Sequence, residues 1–267
     1  GTGGNIAYTL GLLNTPCILV AAAGKDFALY KSHLAKIKDV DLSGIKVFKK
    51  DVTARGFVTT DKDNNQIWGF YEGAMRMARN LSVKKLIDSD TLLMIAPNDT
   101  KAMKKYVNEA IEKGVAYIFD PSFNIPHFSL NSLRRGVTYS TVLIGNDYEI
   151  ELIRRRLEWT NKMLTKKTNI VVTTQGRKGV IIDTKSKKLR ISAAYPKNES
   201  DPTGAGDAFR AGFLAGFVRD YSLEACGKMG ALAAVYTVEK YGTQTHKFSR
   251  NEFKKRYYSN FHERLNL

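Results

Sequence analysis

Cysteine is almost missing from this chain. Its two cysteines, Cys17 and Cys226, stand far apart and without CxxC spacing, which excludes a disulfide framework and a Cys-based zinc site. Thiol usage this sparse makes a reducing compartment, the cytoplasm, the default expectation. Long apolar runs are missing as well. The most apolar stretch, Pro16 to Gly24, is strand-length, so no segment is expected to span a membrane, and no secretory signal is visible at the start. Low-complexity tracts, short repeats and domain linkers are absent too. Acidic residues are the minority: 26 Asp and Glu against 42 Lys and Arg leave a formal net charge of +16, with a pI near 9.7. That sign suits an anionic ligand. The lysines are scattered, however, and the densest arginine run, Arg154 to Arg156, reads as one side of a helix. No arginine–aromatic module of the RNA-binding kind is present, so a solvated basic surface is the stronger reading and a nucleic-acid partner the weaker.

What the chain does contain is one sizeable core. At 267 residues and 43% hydrophobic, one large α/β domain over 1–267 fits better than two small ones. Helical periodicity marks Asn5–Leu13, Phe27–Ile37 and Gly73–Asn80. Strand-like runs fall at Ile18–Ala23 and Lys46–Phe48. Two period-two segments, Ala54–Asp61 and Gln66–Tyr71, are joined by the polar turn Asp61–Asn65, which is a hairpin signal. From Thr91 onward, strands and helices alternate. Strands are expected at Thr91–Ala96, Val115–Asp120, Tyr139–Gly145, Asn169–Thr174, Gly179–Asp183 and Lys188–Ala193. Helices are expected at Asp99–Lys113, closed by Gly114, then at Ser129–Gly136, at Asn146–Leu164 in two pieces, and near Gly204–Asp220, Ser222–Tyr241 and Asn251–Leu265. This alternation predicts a three-layer α/β/α fold, with a mostly parallel central sheet and helices on both faces. The hairpin near 52–72 lies outside that scheme and reads as a flap or lid.

Ligands of such sheets bind beyond the carboxyl ends of the strands. Four polar or Gly-rich loops fall there: Asp120–Asn124, Gly145–Glu149, Thr173–Gly179 and the stretch DPTGAGDAF from Asp201. In the last, Gly204-Ala205-Gly206 opens a helix whose first amides converge and favour an anion such as phosphate. It is neither a Walker A loop nor a dinucleotide fingerprint, since GxxxxGK[ST] and the third glycine of GxGxxG are both missing. Asp207 can be an ordinary first-turn acid. Beside an anion cradle it also makes sense as the group that serves an attacking hydroxyl. On these residues alone both readings stay open. The stripe Phe209, Phe213, Phe217 has core spacing, and His246 in its loop reads as a surface histidine.

DPTGAGDAF closely resembles the C-terminal signature of the ribokinase-like, or PfkB-type, sugar and nucleoside kinases, with Asp201, Thr203, Gly204, Ala205, Gly206 and Asp207 in order. Asn146-Asp147-Tyr148-Glu149 resembles the family's NxxE motif, and Thr174-Gln175-Gly176 with Gly179 its ATP-phosphate loop. Gly1-Thr2-Gly3-Gly4-Asn5 resembles the end of its GGxxxN motif. The resemblance implies an ATP- and Mg2+-dependent kinase. Asp207 is then the base, and Gly204, Ala205 and Gly206 form the anion hole. Thr203, Asn146, Glu149, Thr174, Gly176 and Gly179 attend the nucleotide phosphates, with Glu149 organising Mg2+ through water. Gly1 and Asn5 would meet sugar hydroxyls. The family also has a few tens of residues before its first motif, carrying a first strand, part of the lid and a sugar-gripping aspartate, which this chain is expected to lack. Such kinases often form homodimers through the lid. Thr53–Phe57, Asn65–Met75, Phe119–Pro126 and Gly242–Gln244 resemble the adenosine-kinase-like branch. Phe57, Trp68, Phe70 and Phe123 can make a flat slot for a purine, and Arg55 stands on the flap to close over substrate. The expected acceptor is the 5′-hydroxyl of adenosine. The alternatives are ribose or a hexose, or a catalytically silent relative that binds nucleotide or RNA.

Overall fold

Period-two strands bury both faces only when each face is covered, and here both are. In the computed structural model, which describes residues 1–62 and 66–267, odd and even strand positions feed two separate cores. Ile118, Val142, Ile144 and Val172 point to one core, shared with Phe209, Phe213, Met229 and Leu232. Their neighbours Tyr117, Phe119, Leu143 and Val171 point to the other, shared with Met103, Val107, Leu133 and Ile153.

The chain opens with α1 (Thr2–Leu12), β1 (Cys17–Ile18), β2 (Ala21–Gly24), α2 (Ala28–Leu34), β3 (Val40–Asp41) and β4 (Ile45–Phe48). The hairpin strands β5 (Arg55–Thr60) and β6 (Gln66–Tyr71) follow, then a 3-10 helix at Gly73–Asn80. Next come β7 (Leu93–Ile95), α3 (Thr100–Lys113), β8 (Tyr117–Phe119), a 3-10 helix at Ser122–His127, α4 (Leu130–Thr138) and β9 (Val142–Asn146). The rest is α5 (Asp147–Leu157), α6 (Asn161–Lys167), β10 (Ile170–Thr174), a 3-10 turn at Gly176–Lys178, β11 (Val180–Thr184), β12 (Lys188–Ile191), α7 (Ala205–Phe217), α8 (Leu223–Val238) and α9 (Arg250–Phe261). Among the described residues, no helix is long and apolar enough to cross a membrane.

The main sheet has six strands in sequence order, β7 to β12. β7 to β10 run parallel, and β11 and β12 add an antiparallel edge. α1, α7 and α8 cover one face, and α3, α4 and α5 the other, which is the three-layer architecture expected from the alternation. The hairpin pairs Arg55 with Tyr71 through Thr60 with Gln66 and forms its own two-stranded sheet. Of the polar turn expected at Asp61–Asn65, residues 63–65 lie outside the described residues, as does the side chain of Trp68.

Two local expectations change. The strand foreseen at Ile18–Ala23 is two strands. β1 pairs β3 from Cys17↔Val40, whereas β2 pairs β4 from Ala21↔Ile45, so the partner carries one residue more between the pairings. The extra residue turns at Leu42–Ile45, where Gly44 packs so close to the Leu19 carbonyl that a Cβ would lie 2.8 Å away. Nor do Arg154 to Arg156 share one side of a helix, because successive helical residues point about 100° apart. Arg155 pairs with Glu151 in the open, while Arg156 turns inward to the carbonyls of Ile125 and Phe128.

Candidate active site

The parallel strands end on the same edge of the sheet, β7 and β8 level with Leu143 and β9 and β10 three residues further, and the segments that follow them gather the candidate residues. β9 and β10 are in register, with Asn146 opposite Thr174, so two of the sequence-expected phosphate residues start side by side. Asn146 then caps α5. Its side chain accepts from the Glu149 amide at 2.8 Å, and Glu149 Oε2 accepts from the Asn146 amide at 2.8 Å. The other oxygen, Oε1, accepts from Ser122 Oγ at 2.9 Å. Glu149 is thus held through both oxygens, and the loop after β8 is fastened to the start of α5. Ser122 holds a positive φ of 41°, which is uncommon outside glycine. Beyond Thr174, Gly176 and Gly179 both have positive φ. At Gly179 a Cβ would sit 2.0 Å from the Ile191 carbonyl, so that position tolerates nothing larger.

α7 begins at the Gly-rich turn. Gly204, its N-cap, has φ of 83° and offers no side chain to the first-turn amides, which leaves that end of the helix to an outside acceptor. A Cβ on Gly204 would also lie 2.9 Å from Thr243 Cγ2. Asp201 ties two loops together: Oδ1 accepts from the Thr203 amide at 2.9 Å and Oδ2 from the Gly242 amide at 3.0 Å. Ala205 and Gly206 follow as the first residues of the helix, then Asp207 in its first turn.

The two ends of the sequence meet at Asp207. Asn5, on α1, donates from Nδ2 to Asp207 Oδ2 at 2.7 Å. Asn5 Oδ1 in turn accepts from Thr243 Oγ1 at 2.9 Å and from Gln244 Nε2 at 2.7 Å, and Gln244 also reaches the Tyr30 hydroxyl at 2.6 Å. Asn5 cannot rotate without breaking this set, so it orients the carboxylate. A cleft of about 320 Å³ lies here, lined by Gly1, Asn5, Tyr30, His33, Thr243, Gln244 and Thr245. Burial pushes the Asp207 carboxyl above its ordinary value, and the Asn5 hydrogen bond and the Arg210 charge pull it back. The carboxyl is thus more basic than that of an ordinary aspartate.

Arg210, one turn further along α7, is buried against Asp120 at the end of β8. Nε lies 2.5 Å from Oδ2 and Nη2 donates to Oδ1 at 3.0 Å. Burial pushes the Asp120 carboxyl up to about 6, with Arg210 opposing it. Burial likewise works to lower the Arg210 pKa, and the carboxylates of Asp120, Asp207 and Glu149 outweigh it.

The aromatic expectations divide. Phe70 on the hairpin and Phe123 after β8 meet, with centroids 6.2 Å apart, and both remain half-exposed. Phe57 is more open still, at 67%. Arg55 is not drawn to the cleft. It pairs with Asp26 at 2.6 Å at the foot of the hairpin, where Asp26 also accepts from the Thr53 amide. His246 is not at the surface. It is 1% exposed, near Thr9 and Thr237, and burial pushes its pKa down to about 4. Phe209, Phe213 and Phe217 stack in the core as their spacing foretold.

Sequence reasoning gave no role to Arg210, Asp120, Ser122, Tyr30 or Gln244. The available signal was Arg210, a lone charge in the small, apolar run of α7. Among the described residues, no group of three or more His, Cys, Asp or Glu is placed to hold a metal. Glu149, with its carboxylate held by the Asn146 amide and the Ser122 hydroxyl, is an oxygen donor of the kind that suits Mg2+.

Comparison with known proteins gives the same frame. Residues 1–249 match the pfkB family carbohydrate kinase model. The chain is 31% identical to a nucleoside kinase of Methanocaldococcus jannaschii over 92% of its own length and 80% of the relative's. A nucleoside kinase of Methanothermobacter thermautotrophicus is 32% identical over 96% of this chain and 84% of its own. Among solved structures, a Burkholderia thailandensis nucleoside kinase in complex with inosine superposes with a TM-score of 0.95 at 29% identity, covering 99% of this chain and 86% of that one. With a family model over most of its length and two relatives above 30% identity, the chain belongs to the pfkB family of carbohydrate kinases, phosphotransferases that use ATP and Mg2+ with an alcohol as acceptor.

Proposed function

We propose that this chain is a nucleoside kinase, transferring the γ-phosphate of ATP to the 5′-hydroxyl of a purine nucleoside, adenosine foremost. The observation that carries the reading is the Asn5–Asp207 bond. It sets an oriented carboxylate between an open helix N-terminus and a cleft whose walls offer two side-chain amides, two hydroxyl-bearing threonines and a tyrosine hydroxyl. In this reading Gly1 and Asn5 meet the ribose. Asp207, through Oδ1, takes the proton of the attacking hydroxyl, while Asn5 keeps Oδ2 fixed. The amides of Gly204 to Asp207 face the transferred group, where charge accumulates, and do so without reorganising. Thr203, Asn146, Thr174, Gly176 and Gly179 line the path of the nucleotide phosphates. Mg2+ neutralises phosphate charge when bound, and Glu149, fixed by Asn146 and Ser122, is the residue that orients its water.

The purine preference draws on Phe70 and Phe123, which present half-exposed rings that a base would cover by stacking. Nucleoside-kinase relatives and the inosine-bound neighbour support the same acceptor class. The test is steady-state turnover with ATP and Mg2+ against adenosine, inosine, cytidine, ribose and fructose, with the product identified by NMR. Adenosine should give the highest kcat/KM and a 5′-monophosphate. Faster turnover of ribose or fructose than of every nucleoside would transfer the reading to a sugar kinase. No turnover of any, with RNA bound more tightly than ATP, would favour a silent binding relative.

A further inference from the structure

α7 carries one buried cation to which the proposed reaction assigns no part in holding phosphate. Arg210 is 8% exposed, on a helix otherwise built of alanine, glycine, leucine and phenylalanine beyond its first turn. Long helical side chains fold back over the preceding turn toward the N-terminus, so the guanidinium lies beside the start of α7. Fully buried Asp120 accepts from Nη2 through Oδ1, and its Oδ2 stands against Nε as an ion pair without hydrogen-bond geometry. The third nitrogen, Nη1, is on the Gly206 side, where a Cβ built on Gly206 would fall 2.8 Å from it. The guanidinium therefore fills the space that a side chain at 206 would need.

This placement runs against ordinary helix electrostatics. Cations favour the C-terminal pole of a helix and are repelled by the N-terminal one. A buried ion pair is also weak evidence of added stability, because well-packed apolar residues often serve as well. A purely architectural link between β8 and α7 has no need of a cation at this pole. What gains from one is an anion arriving at the same amides.

We propose that Arg210 is the fixed cation of the phosphate site: clamped by Asp120, it lies beneath the Gly204–Asp207 turn and offsets the charge of the phosphoryl group in transit. It acts through the turn above it and is a positioning residue, with Asp120 as its anchor. The proposal rests on the assignment of that turn to the transferred phosphate.

The experiment compares Arg210→Gln, Arg210→Lys and the double variant Asp120→Asn/Arg210→Gln with the wild-type chain, with Asp207→Asn as control. Melting temperature, kcat and both KM values are measured. Arg210→Gln should lower kcat by roughly 10²–10³-fold, the scale on which a fixed electrostatic donor acts, with little change in the acceptor KM. It should also lower the melting temperature, because Asp120 is left buried and unpaired. The double variant should regain the melting temperature and not kcat, and Arg210→Lys should regain part of kcat. Recovery of kcat together with melting temperature in the double variant would reduce Arg210 to architecture and overturn the proposal. So would near wild-type turnover in Arg210→Gln while Asp207→Asn is inactive. Full activity in Asp207→Asn would remove the phosphate-site assignment itself, and the proposal with it.

Discussion

On the phosphate side of the site, polar groups are fastened before any ligand arrives. Glu149 is bonded through both oxygens, Asp201 clips two loops together, and Asp207 is held by an Asn5 that is itself held by Thr243 and Gln244. The hairpin β5–β6 is built the other way. Its apolar rings face outward, Phe57 at 67% and Phe70 at 50% exposure, and its foot is pinned by the exposed Arg55–Asp26 pair. The contrast follows from what each side must do. Charge developing on a phosphoryl group is stabilised by groups that need not move. An acceptor has to enter and leave, so its apolar contacts are completed by the acceptor itself. Under the proposed function, chemistry common to many acceptors falls to the fixed half and discrimination among them to the open half.

Breaking the fixed half should cost most. Asp207→Asn removes the base and should lower kcat by about 10²–10⁴-fold with ATP still bound, measured by steady-state kinetics and nucleotide titration. Retained turnover would detach catalysis from the turn. Glu149→Gln should lower activity by about 10–100-fold and raise the Mg2+ concentration at half-maximal rate, as loss of an outer-shell partner does. An unchanged Mg2+ titration would remove it from the metal's surroundings.

His246 tests the support behind the fixed half, since it is buried against Tyr8 and Thr9 two residues beyond the Gln244 that holds Asn5. Its folded pKa, about 4, lies below the ordinary 6.5. The folded state therefore binds fewer protons in acid. Stability is full above about pH 6.5 and should fall by about 2–3 kcal/mol as pH drops toward 4. Urea midpoints across that range should show the slope, and His246→Gln should flatten its share whatever the variant's baseline. The smallest effect belongs to the open half. Phe70→Ala should raise the nucleoside KM several-fold, in keeping with about 0.5–1.5 kcal/mol for a ring pair, and leave kcat and the ATP KM alone. A drop in kcat instead would show that the hairpin shares in the fixed half.

This division also decides what was legible in the sequence. The fixed half is written in short local signals: Gly204-Ala205-Gly206 before Asp207, and Asn146 three residues before Glu149, each a helix start whose physics is read from a few neighbours. Strand alternation carried the sheet because each strand pairs with its neighbour in sequence. Long-range partners left no such trace. Nothing around Asp120 announces Arg210, 90 residues away, and nothing around Tyr30 announces Gln244, 214 away. His246 was misjudged for the same reason: a histidine in a polar loop is buried here by Tyr8 and Thr9, from the far end of the chain. The split of β1 from β2 depended on one additional residue in the partner strand, which hydrophobic patterning does not register.

The Asn5–Asp207 bond joins residues 202 apart, and the Thr243–Asn5 bond residues 238 apart. The six-stranded sheet closes only short loops by comparison. Loop-closure entropy then sets a timetable: strands β7 to β12 can pair early and locally, whereas the Asp207 carboxylate, the proposed base, is oriented only once α1 and the Thr243–Gln244 loop have docked. Activity is therefore the last property this chain acquires on refolding, arriving after the far-ultraviolet signal of the sheet, and the first it loses when α1 or the Thr243–Gln244 loop detaches.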